Sequence, residues 1–222
     1  MSGSSPAERL AQAGNAIAKA ASLARRAPED VTLVAVSKSH PAEAVLPLLE
    51  AGHRHFGENR VQEAQAKWPP LRERFGNSTL HLVGRLQSNK AEEAVALFDS
   101  IHSVDRASLV EALARAAEKS GRRPECFIQV NVGDEPQKGG CPVAELPALL
   151  ERSGEAGLRV AGLMCVPPAD VEPAPYFALL AKLARRHSLA GLSMGMSADY
   201  ETAVAIGATH VRVGTALFGE RG

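Results

Sequence analysis

The feature that most constrains this chain is a repeat in its hydrophobic pattern. Short apolar runs of strand length alternate with amphipathic segments of helix length, and a few polar or glycine residues join them. Runs such as "FIQVNV" and "VAGLMCV" are mostly apolar, which is typical of parallel strands covered by helices. The eight predicted strands lie at residues 32–37, 55–58, 80–84, 100–104, 126–132, 160–166, 191–194 and 210–213.

Eight strand–helix units of about 23 residues each predict an α/β chain folded as a closed (β/α)8 TIM barrel. A doubly wound open sheet is the alternative. Such a sheet usually carries a glycine-rich turn after its first strand, whereas this chain has Lys38 there. We expect a single domain over residues 1–222, with an extra N-terminal helix and lead-in at 1–30 and the barrel at 31–219.

Local signals predict where several helices begin. Pro41 suits the first turn of a helix, Asp105 precedes an amphipathic run, and Ser197 precedes "ADYETAVAIG", which ends in a glycine suited to a helix C-cap. We therefore expect Ser197 either to cap the helix after strand 7 or to contribute its hydroxyl to an anion site.

Composition limits the classes of partner. The 25 basic and 25 acidic residues balance, so no electrostatic footprint for nucleic acid or an anionic membrane is present. No apolar stretch approaches the ~18 residues of a membrane span. Cys126, Cys141 and Cys165 are far apart, which predicts free thiols in a reducing cytoplasm and neither a disulfide framework nor a metal site.

In such barrels the functional residues lie at the carboxyl ends of the strands, in the loops that follow them. Strands 7 and 8 commonly supply a phosphate site there. "GMSADYETA" offers Gly195 and the hydroxyl of Ser197, and "RVGTALFG" offers Gly214 and Thr215. Arg212 shares strand parity with Gly214, so we expect it to face the barrel interior, where a buried guanidinium needs an acceptor.

Lys38 ends the first strand, on the same rim. A partly desolvated lysine there has a lowered pKa and can form an imine, although a lone lysine more often extends into solvent or pairs with a carboxylate such as Glu58. An imine-forming lysine opposite a phosphate site suits pyridoxal 5'-phosphate, which carries an aldehyde on one side of its ring and a phosphate on the other.

Three functions fit these residues: a cofactor carrier, a pyridoxal-phosphate racemase or lyase, and a class I aldolase-like barrel without cofactor. A two-base racemase needs a second acid opposite the lysine, and the only tyrosines, Tyr176 and Tyr200, fall in predicted outer helices. For an aldolase, Glu58 is available as the general acid or base. The residues alone leave the three open.

Seven motifs in collinear order resemble the pyridoxal phosphate homeostasis protein family, from the first strand to the C-terminus. The motifs are "AVSK" (35–38), "FGENRVQEA" (56–64), "HLVGRLQSNK" (81–90), "VNVGDEPQKGG" (131–140), "GLMCVPP" (162–168), "LSMGMSADYETA" (192–203) and "VRVGTALFG" (211–219).

The resemblance implies a single-domain barrel of the alanine racemase N-terminal type that stores or delivers pyridoxal phosphate without established turnover. It implies a covalent imine on Lys38, phosphate contacts near Ser197, and Arg212 facing the pyridine nitrogen. The partners implied are the cofactor and, transiently, apo-enzymes that use it. We also expect the chain to be a monomer or weak dimer and to lie in the cytoplasm. The expected cofactor-binding residues are Lys38, Asn59, Met164, Gly195, Met196, Ser197, Arg212, Gly214 and Thr215.

Overall fold

The computed structural model describes residues 4–219 and has the alternating order that the sequence predicts. The elements are α1 (Pro6–Leu23), β1 (Thr32–Val36), α2 (Ala42–Glu50), β2 (His55–Glu58), α3 (Val61–Phe75), β3 (Thr79–Leu82), α4 (Ala91–Leu97), β4 (Ser100–Val104), α5 (Ala107–Ser120), β5 (Glu125–Asn131), β6 (Cys141–Pro142), α6 (Leu146–Glu155), β7 (Arg159–Met164), α7 (Ala174–Arg186), β8 (Gly191–Ser193), α8 (Tyr200–Ile206), β9 (His210–Val213) and α9 (Thr215–Phe218).

Eight parallel strands close into a barrel. The strand order is β4-β3-β2-β1-β9-β8-β7-β5, and β4 pairs with β5 to complete the ring. The first and last long strands are neighbours, with Val34 opposite Arg212 and Ala35 opposite Val213. Since all strands run the same way, the loops after their carboxyl ends meet at one rim. The predicted barrel is confirmed.

The eight predicted strands are all present, with small differences at their ends. Five of them, β1, β3, β5, β7 and β8, end one or two residues earlier than predicted. Backbone hydrogen bonds continue past these ends, because Val83 N–H donates to Glu58 O and Cys165 N–H donates to Ser193 O. The sequence did not predict β6, a two-residue strand that pairs with β5 beyond the barrel.

The predicted helix starts are wrong at three positions. Pro41 is the residue before α2 and not part of its first turn. Asp105 does not cap α5, because Arg106 is the N-cap and the Asp105 carboxylate pairs with Arg106 instead. Ser197 does not cap α8, which begins at Tyr200 after Asp199. For Asp105 and Ser197, a neighbouring or tertiary contact engages the side chain that local sequence assigned to the helix end.

The N-terminal helix packs on the outside of the barrel. Ser5 and Glu8 form a capping box at its start. Its apolar stripe, including Ala13 and Ile17, is buried in the main hydrophobic core. Arg26, just after α1, donates to the carbonyl oxygens of Val204 (2.8 Å) and Ala208 (2.9 Å). The extra helix is therefore an integral part of the outer layer.

The interior of the barrel is polar, in contrast to its aliphatic outer layer. Ring contacts join His81 of β3 and His102 of β4 to His210 of β9, with centroids 6.0 and 5.7 Å apart. These strands are not neighbours in the sheet, so the rings meet across the lumen. Phe127 stacks on His102 at 4.4 Å. His210 pairs with Thr32 at the amino-terminal end of the strands, which places this histidine layer opposite the functional rim.

Burial disfavours the charged form of these imidazoles. It lowers the pKa of His53 and of His210 to about 4. Burial, and then the charges of the neighbouring histidines, lowers the pKa of His81 and His102 well below the ordinary value. A neutral imidazole has one donor and one acceptor nitrogen, so it can pass a hydrogen bond from one neighbour to the next.

The three cysteines are free, as the sequence predicts, and the structure shows that all three are buried. Burial raises the pKa of each thiol to about 12. Over residues 4–219, no helix is long and apolar enough to cross a membrane. The same residues contain no group of three or more His, Cys, Asp or Glu side chains able to hold a metal ion.

The buried histidines predict loss of stability in mild acid. His53 and His210 have a pKa of about 4 in the folded chain, below the usual value of about 6.5, so unfolding takes up about one proton at each of them between these pH values. The free energy of unfolding should therefore fall by about 2 kcal/mol per histidine between pH 7 and 5. Urea titrations at the two pH values measure this, and His210→Gln should reduce the uptake by about one proton. Equal stability at pH 7 and pH 5 would contradict it.

Candidate functional site

A cleft of about 470 Å³ opens at the carboxyl rim of the barrel. This volume suits a small-molecule ligand. Seven of the nine residues predicted from the sequence line it: Lys38, Asn59, Met196, Ser197, Arg212, Gly214 and Thr215. No carboxylate of the described chain is among its lining residues. The cleft therefore combines an amine and a guanidinium with hydroxyl and backbone groups, which favours an anionic ligand.

Lys38 lies two residues after the end of β1 and is half-buried in the cleft wall. Its amine has no hydrogen bond or ion pair with any residue of the described chain. The alternative that Lys38 pairs with Glu58 is therefore wrong. The next residue, Ser39, has φ +62°, which turns the chain away from the strand after the lysine.

Glu58 instead anchors the base of this loop. Its buried Oε1 accepts hydrogen bonds from Ser37 Oγ (2.7 Å), Lys67 Nζ (2.9 Å) and Trp68 Nε1 (2.9 Å). Lys67 Nζ also donates to Ser37 O at 2.8 Å. The residue before Lys38 is thus held through both its side chain and its carbonyl group, so the lysine projects from a fixed backbone.

Backbone donors converge on Ser197 across the cleft. Its Oγ accepts from the N–H groups of Gly214 and Ala216, both at 3.3 Å. Asp199 holds the same loop, because its carboxylate accepts from Met196 N–H at 2.6 Å. Two N–H groups and one hydroxyl in one turn are the donors that phosphate oxygens require.

Two glycines allow the loops after β8 and β9 to approach closely. Gly195 has φ +92°, and a Cβ there would lie 2.6 Å from the Cβ of Ala203. A Cβ on Gly214 would lie 3.2 Å from Val36 O, so the end of β9 lies tightly against β1. This contact brings the donors around Gly214 to the side of the barrel that carries Lys38.

Arg212 forms the floor of the cleft and faces inward, as predicted. It is 5% exposed, and burial lowers the pKa of its guanidinium from the ordinary value. Nη1 donates to Ser193 Oγ (2.7 Å) and Nη2 donates to Cys165 O (2.8 Å). Both acceptors are neutral, and within residues 4–219 no carboxylate forms an ion pair with it. A buried cation held in this way favours a ligand that accepts a hydrogen bond.

The other two predicted residues, Met164 and Gly195, lie outside the cleft lining. Met164 is buried in β7, and Gly195 contributes its carbonyl oxygen to a bond from Arg212 N–H (2.9 Å). Asn131 closes its own loop by bonding the backbone of Glu135. Lys138 pairs with Glu135 and donates to Pro167 O. The polar loop after β5 is therefore closed by its own contacts, and Lys138 ties it to the loop after β7.

Sequence reasoning missed several lining residues. These are Val36, His40, Val83, Val166, Ala198 and Gly219. Val36 and Val166 lie two residues from Lys38 and Met164, so strand parity was a usable signal for both. His40 stacks on Phe218, with ring centroids 4.9 Å apart, and no local pattern predicts that contact.

Known proteins share this fold and length. Residues 14–222 match the family described as "Alanine racemase, N-terminal domain". A pyridoxal phosphate homeostasis protein of Pseudomonas aeruginosa is 41% identical over 221 residues, covering 97% of this chain and 95% of its relative. The protein of that name from Escherichia coli is 38% identical, covering 97% and 96%.

Two kinds of solved structure are similar. PipY of Synechococcus elongatus, solved with PLP bound, is 44% identical with a TM-score of 0.82, covering 96% of this chain and all of that one. An alanine racemase of Clostridium difficile has a TM-score of 0.70 at 16% identity, so it shares the fold only, over 93% of this chain and 55% of the racemase.

Fold and site together define an alanine racemase-type barrel with an amine and a turn of convergent N–H and hydroxyl groups in one cleft. Within that class, the chain belongs to the pyridoxal phosphate homeostasis protein family.

The Glu58 cluster predicts a large stability effect at one buried lysine. Lys67→Met leaves the Glu58 carboxylate buried without its cation, which should cost about 3–5 kcal/mol in the free energy of unfolding. The matched control is Lys119→Met, which breaks the exposed pair with Glu92 and should cost under about 1 kcal/mol. Urea midpoints compare the two variants, and equal losses would contradict the anchoring role of Glu58.

Proposed function

We propose that this chain binds pyridoxal 5'-phosphate in the rim cleft, covalently through Lys38, and stores and delivers it in vitamin B6 homeostasis without catalytic turnover. One observation carries the proposal: an amine without a protein partner and a turn of anion-binding donors line the same cleft. The cofactor has an aldehyde that reacts with an amine and a phosphate that accepts hydrogen bonds, and the cleft offers a matching group for each.

The turn around Ser197 fits the phosphate. The hydroxyl of Ser197 and the N–H groups of Gly214 and Ala216 already meet at one point. All three donors are neutral, and the two N–H groups belong to the backbone, which limits their movement. Thr215 adds a second hydroxyl at the same edge of the cleft, and Met196 adds backbone beside it. We assign phosphate binding to these residues.

Lys38 fits the aldehyde. Its neutral amine adds to the aldehyde carbon, a C=N bond forms, and the carbonyl oxygen leaves as water. Formation of this Schiff base needs an amine that no carboxylate holds as a cation, which matches the absence of an ion pair to Lys38 within residues 4–219. Asn59 lies in the same wall and is assigned to the cofactor edge.

Arg212 fits the ring nitrogen. A guanidinium stays protonated and can only donate, so a ring nitrogen facing it accepts a hydrogen bond and remains unprotonated. When bound, the cofactor supplies an electron sink for bonds to an amino group, and this partner weakens that sink. The arrangement favours holding the cofactor over using it.

The groups needed for turnover are poorly represented in the cleft. A racemase needs an acid opposite the lysine, and neither Tyr176 nor Tyr200 lines the cleft. Glu58, which an aldolase would need, is bound to Lys67 and Trp68 and also does not line it. We therefore propose a carrier rather than a racemase, lyase or aldolase.

The comparisons support the carrier role. Relatives of the same length are named pyridoxal phosphate homeostasis proteins, and PipY was solved with PLP bound. We further propose that the chain acts as one domain, as a monomer or weak dimer, in the cytoplasm, where buried free thiols are typical. Its partners would be the cofactor and, briefly, apo-enzymes that receive it.

The lysine assignment predicts the outcome of trapping. Borohydride treatment of the cofactor-loaded protein should fix one cofactor on Lys38, located by peptide mass spectrometry. Lys38→Ala should lose both the imine absorbance and the label with little change in urea midpoint, because the lysine has no protein partner. The control, Lys182→Ala on the exposed face of α7, should retain both. Label on Lys138, or full labelling of Lys38→Ala, would contradict the assignment.

The carrier role predicts that the protein transfers its cofactor to an apo-enzyme but does not convert amino acids. An apo-enzyme added to the loaded protein should gain activity while the imine absorbance of the carrier falls, because the cleft is open to competing amines. Incubation with single enantiomers of amino acids should leave their chirality and mass unchanged. Racemised or cleaved amino acid, dependent on Lys38, would instead establish an enzyme.

A further inference from the structure

A chain of hydrogen bonds runs through the barrel lumen from the cleft to the amino-terminal end. Arg212 Nη1 bonds Ser193 Oγ at 2.7 Å, and Ser193 Oγ lies 2.7 Å from His102 Nδ1. His102 Nε2 lies 3.0 Å from His81 Nδ1, and His81 Nε2 lies 3.2 Å from His55 Nδ1. Four successive bonds therefore connect the floor of the cleft to a half-buried histidine at the other end.

The arginine sets the direction of this chain. A guanidinium has donors only, so Ser193 Oγ must accept from Arg212. Ser193 is fully buried, and within residues 4–219 its Oγ contacts only Arg212 and His102. If His102 Nδ1 carried a hydrogen, the serine hydroxyl hydrogen would have no acceptor, at a cost of about 1–3 kcal/mol. The hydroxyl therefore donates to His102 Nδ1.

The same reasoning assigns the ring hydrogen of each following histidine in turn. An imidazole that accepts at Nδ1 carries its hydrogen on Nε2 when neutral. His102 then donates to His81, and His81 donates to His55. We infer that His102, His81 and His55 form a one-way chain of neutral imidazoles with hydrogen on Nε2, and that Ser193 and His102 are positioning residues that hold Arg212 toward the cleft.

The surroundings favour neutrality of the whole chain. The charged and titratable groups facing it are His53 and His55 from β2 and its lead-in, His81 from β3, and His210 and Arg212 from β9. Cys165 after β7 and Asp199 before α8 lie near Arg212. Phe127 covers His102 from β5. In the described chain no carboxylate bonds any of these imidazoles, and burial lowers the pKa of both His81 and His102.

The chain matters for Arg212 because that side chain has few other restraints. Within residues 4–219, its guanidinium donates to Ser193 Oγ and Cys165 O. An imidazolium at His102 would present a donor to the serine and could not accept from it, so Ser193 would have to reorient. The orientation of Arg212 thus depends on hydrogen placement several residues away, in the lumen.

Nuclear magnetic resonance tests the hydrogen placement along these histidines and needs no cofactor. Long-range ¹H–¹⁵N spectra of the ligand-free protein, labelled at histidine and assigned with single His→Gln variants, report which ring nitrogen carries the hydrogen. The expected result at pH 7.5 is the neutral Nε2–H tautomer at His102, His81 and His55. An Nδ1–H tautomer or an imidazolium at His102 or His81 would overturn the inference, whatever the fate of the proposed function.

A pair of serine variants tests the effect on Arg212, which rests on the proposed function. Ser193→Ala removes one acceptor of the guanidinium and should weaken cofactor binding about tenfold and alter the pH dependence of the imine absorbance. Ser103→Ala is the matched control, because Ser103 is a buried serine whose hydroxyl has no partner. The control should change neither quantity. Unchanged affinity and pH profile in Ser193→Ala would overturn the positioning role, whereas wild-type protein that binds no cofactor would instead reject the proposed function.

Discussion

The parallel pairing of β1 with β9 is the constraint on which the site depends. It closes the barrel in the register that sets Val34 opposite Arg212, and so it brings the residues after both strands to one place on the rim. Gly214 permits the contact, because any side chain there would meet Val36 O at 3.2 Å. Lys38 and the anion-binding turn come from opposite ends of the sequence, and only this closure makes them walls of one cleft.

Buried polar groups then fix what the closure brings together. Glu58 holds Ser37 and therefore the base of Lys38, and Ser193 holds Arg212. Both arrangements desolvate polar atoms at a cost, which the hydrogen bonds to Glu58 Oε1 and to Ser193 Oγ partly offset; Glu58 Oε2 is buried without a partner in residues 4–219. A barrel filled with aliphatic side chains would close equally well, but it would offer no acceptor for an inward arginine. The histidine-rich lumen is therefore part of the site, although it lies beneath it.

Much of the fold and part of the site could be predicted from the sequence. The apolar runs of the strands and their spacing along the chain are local properties of the sequence. All eight barrel strands are therefore found within one or two residues of their predicted ends. The rule that functional residues lie at the carboxyl ends of barrel strands selects Lys38, Arg212, Ser197 and Gly214. It works because the distance of a residue from a strand end can be read from the local sequence. The two-residue β6 has too little pattern to detect.

The remaining features depend on neighbours that are distant in sequence. Ser197 has every local sign of a helix cap, yet its hydroxyl bonds the backbone after β9. Lys67 lies on an ordinary helix and is buried only because Glu58 faces it from β2. The hydrogen-bonded series in the lumen joins β2, β3, β4, β8 and β9, and nothing in the local sequence around its histidines or its serine indicates it.

A crystal structure of the chain soaked with pyridoxal 5'-phosphate tests the central claim most directly. The account predicts continuous density from Lys38 Nζ to the cofactor, with the phosphate within hydrogen-bond distance of Ser197 and of the N–H groups of Gly214 and Ala216. A cofactor joined to another lysine, or a phosphate bound away from that turn while Lys38 stays free, would contradict the account.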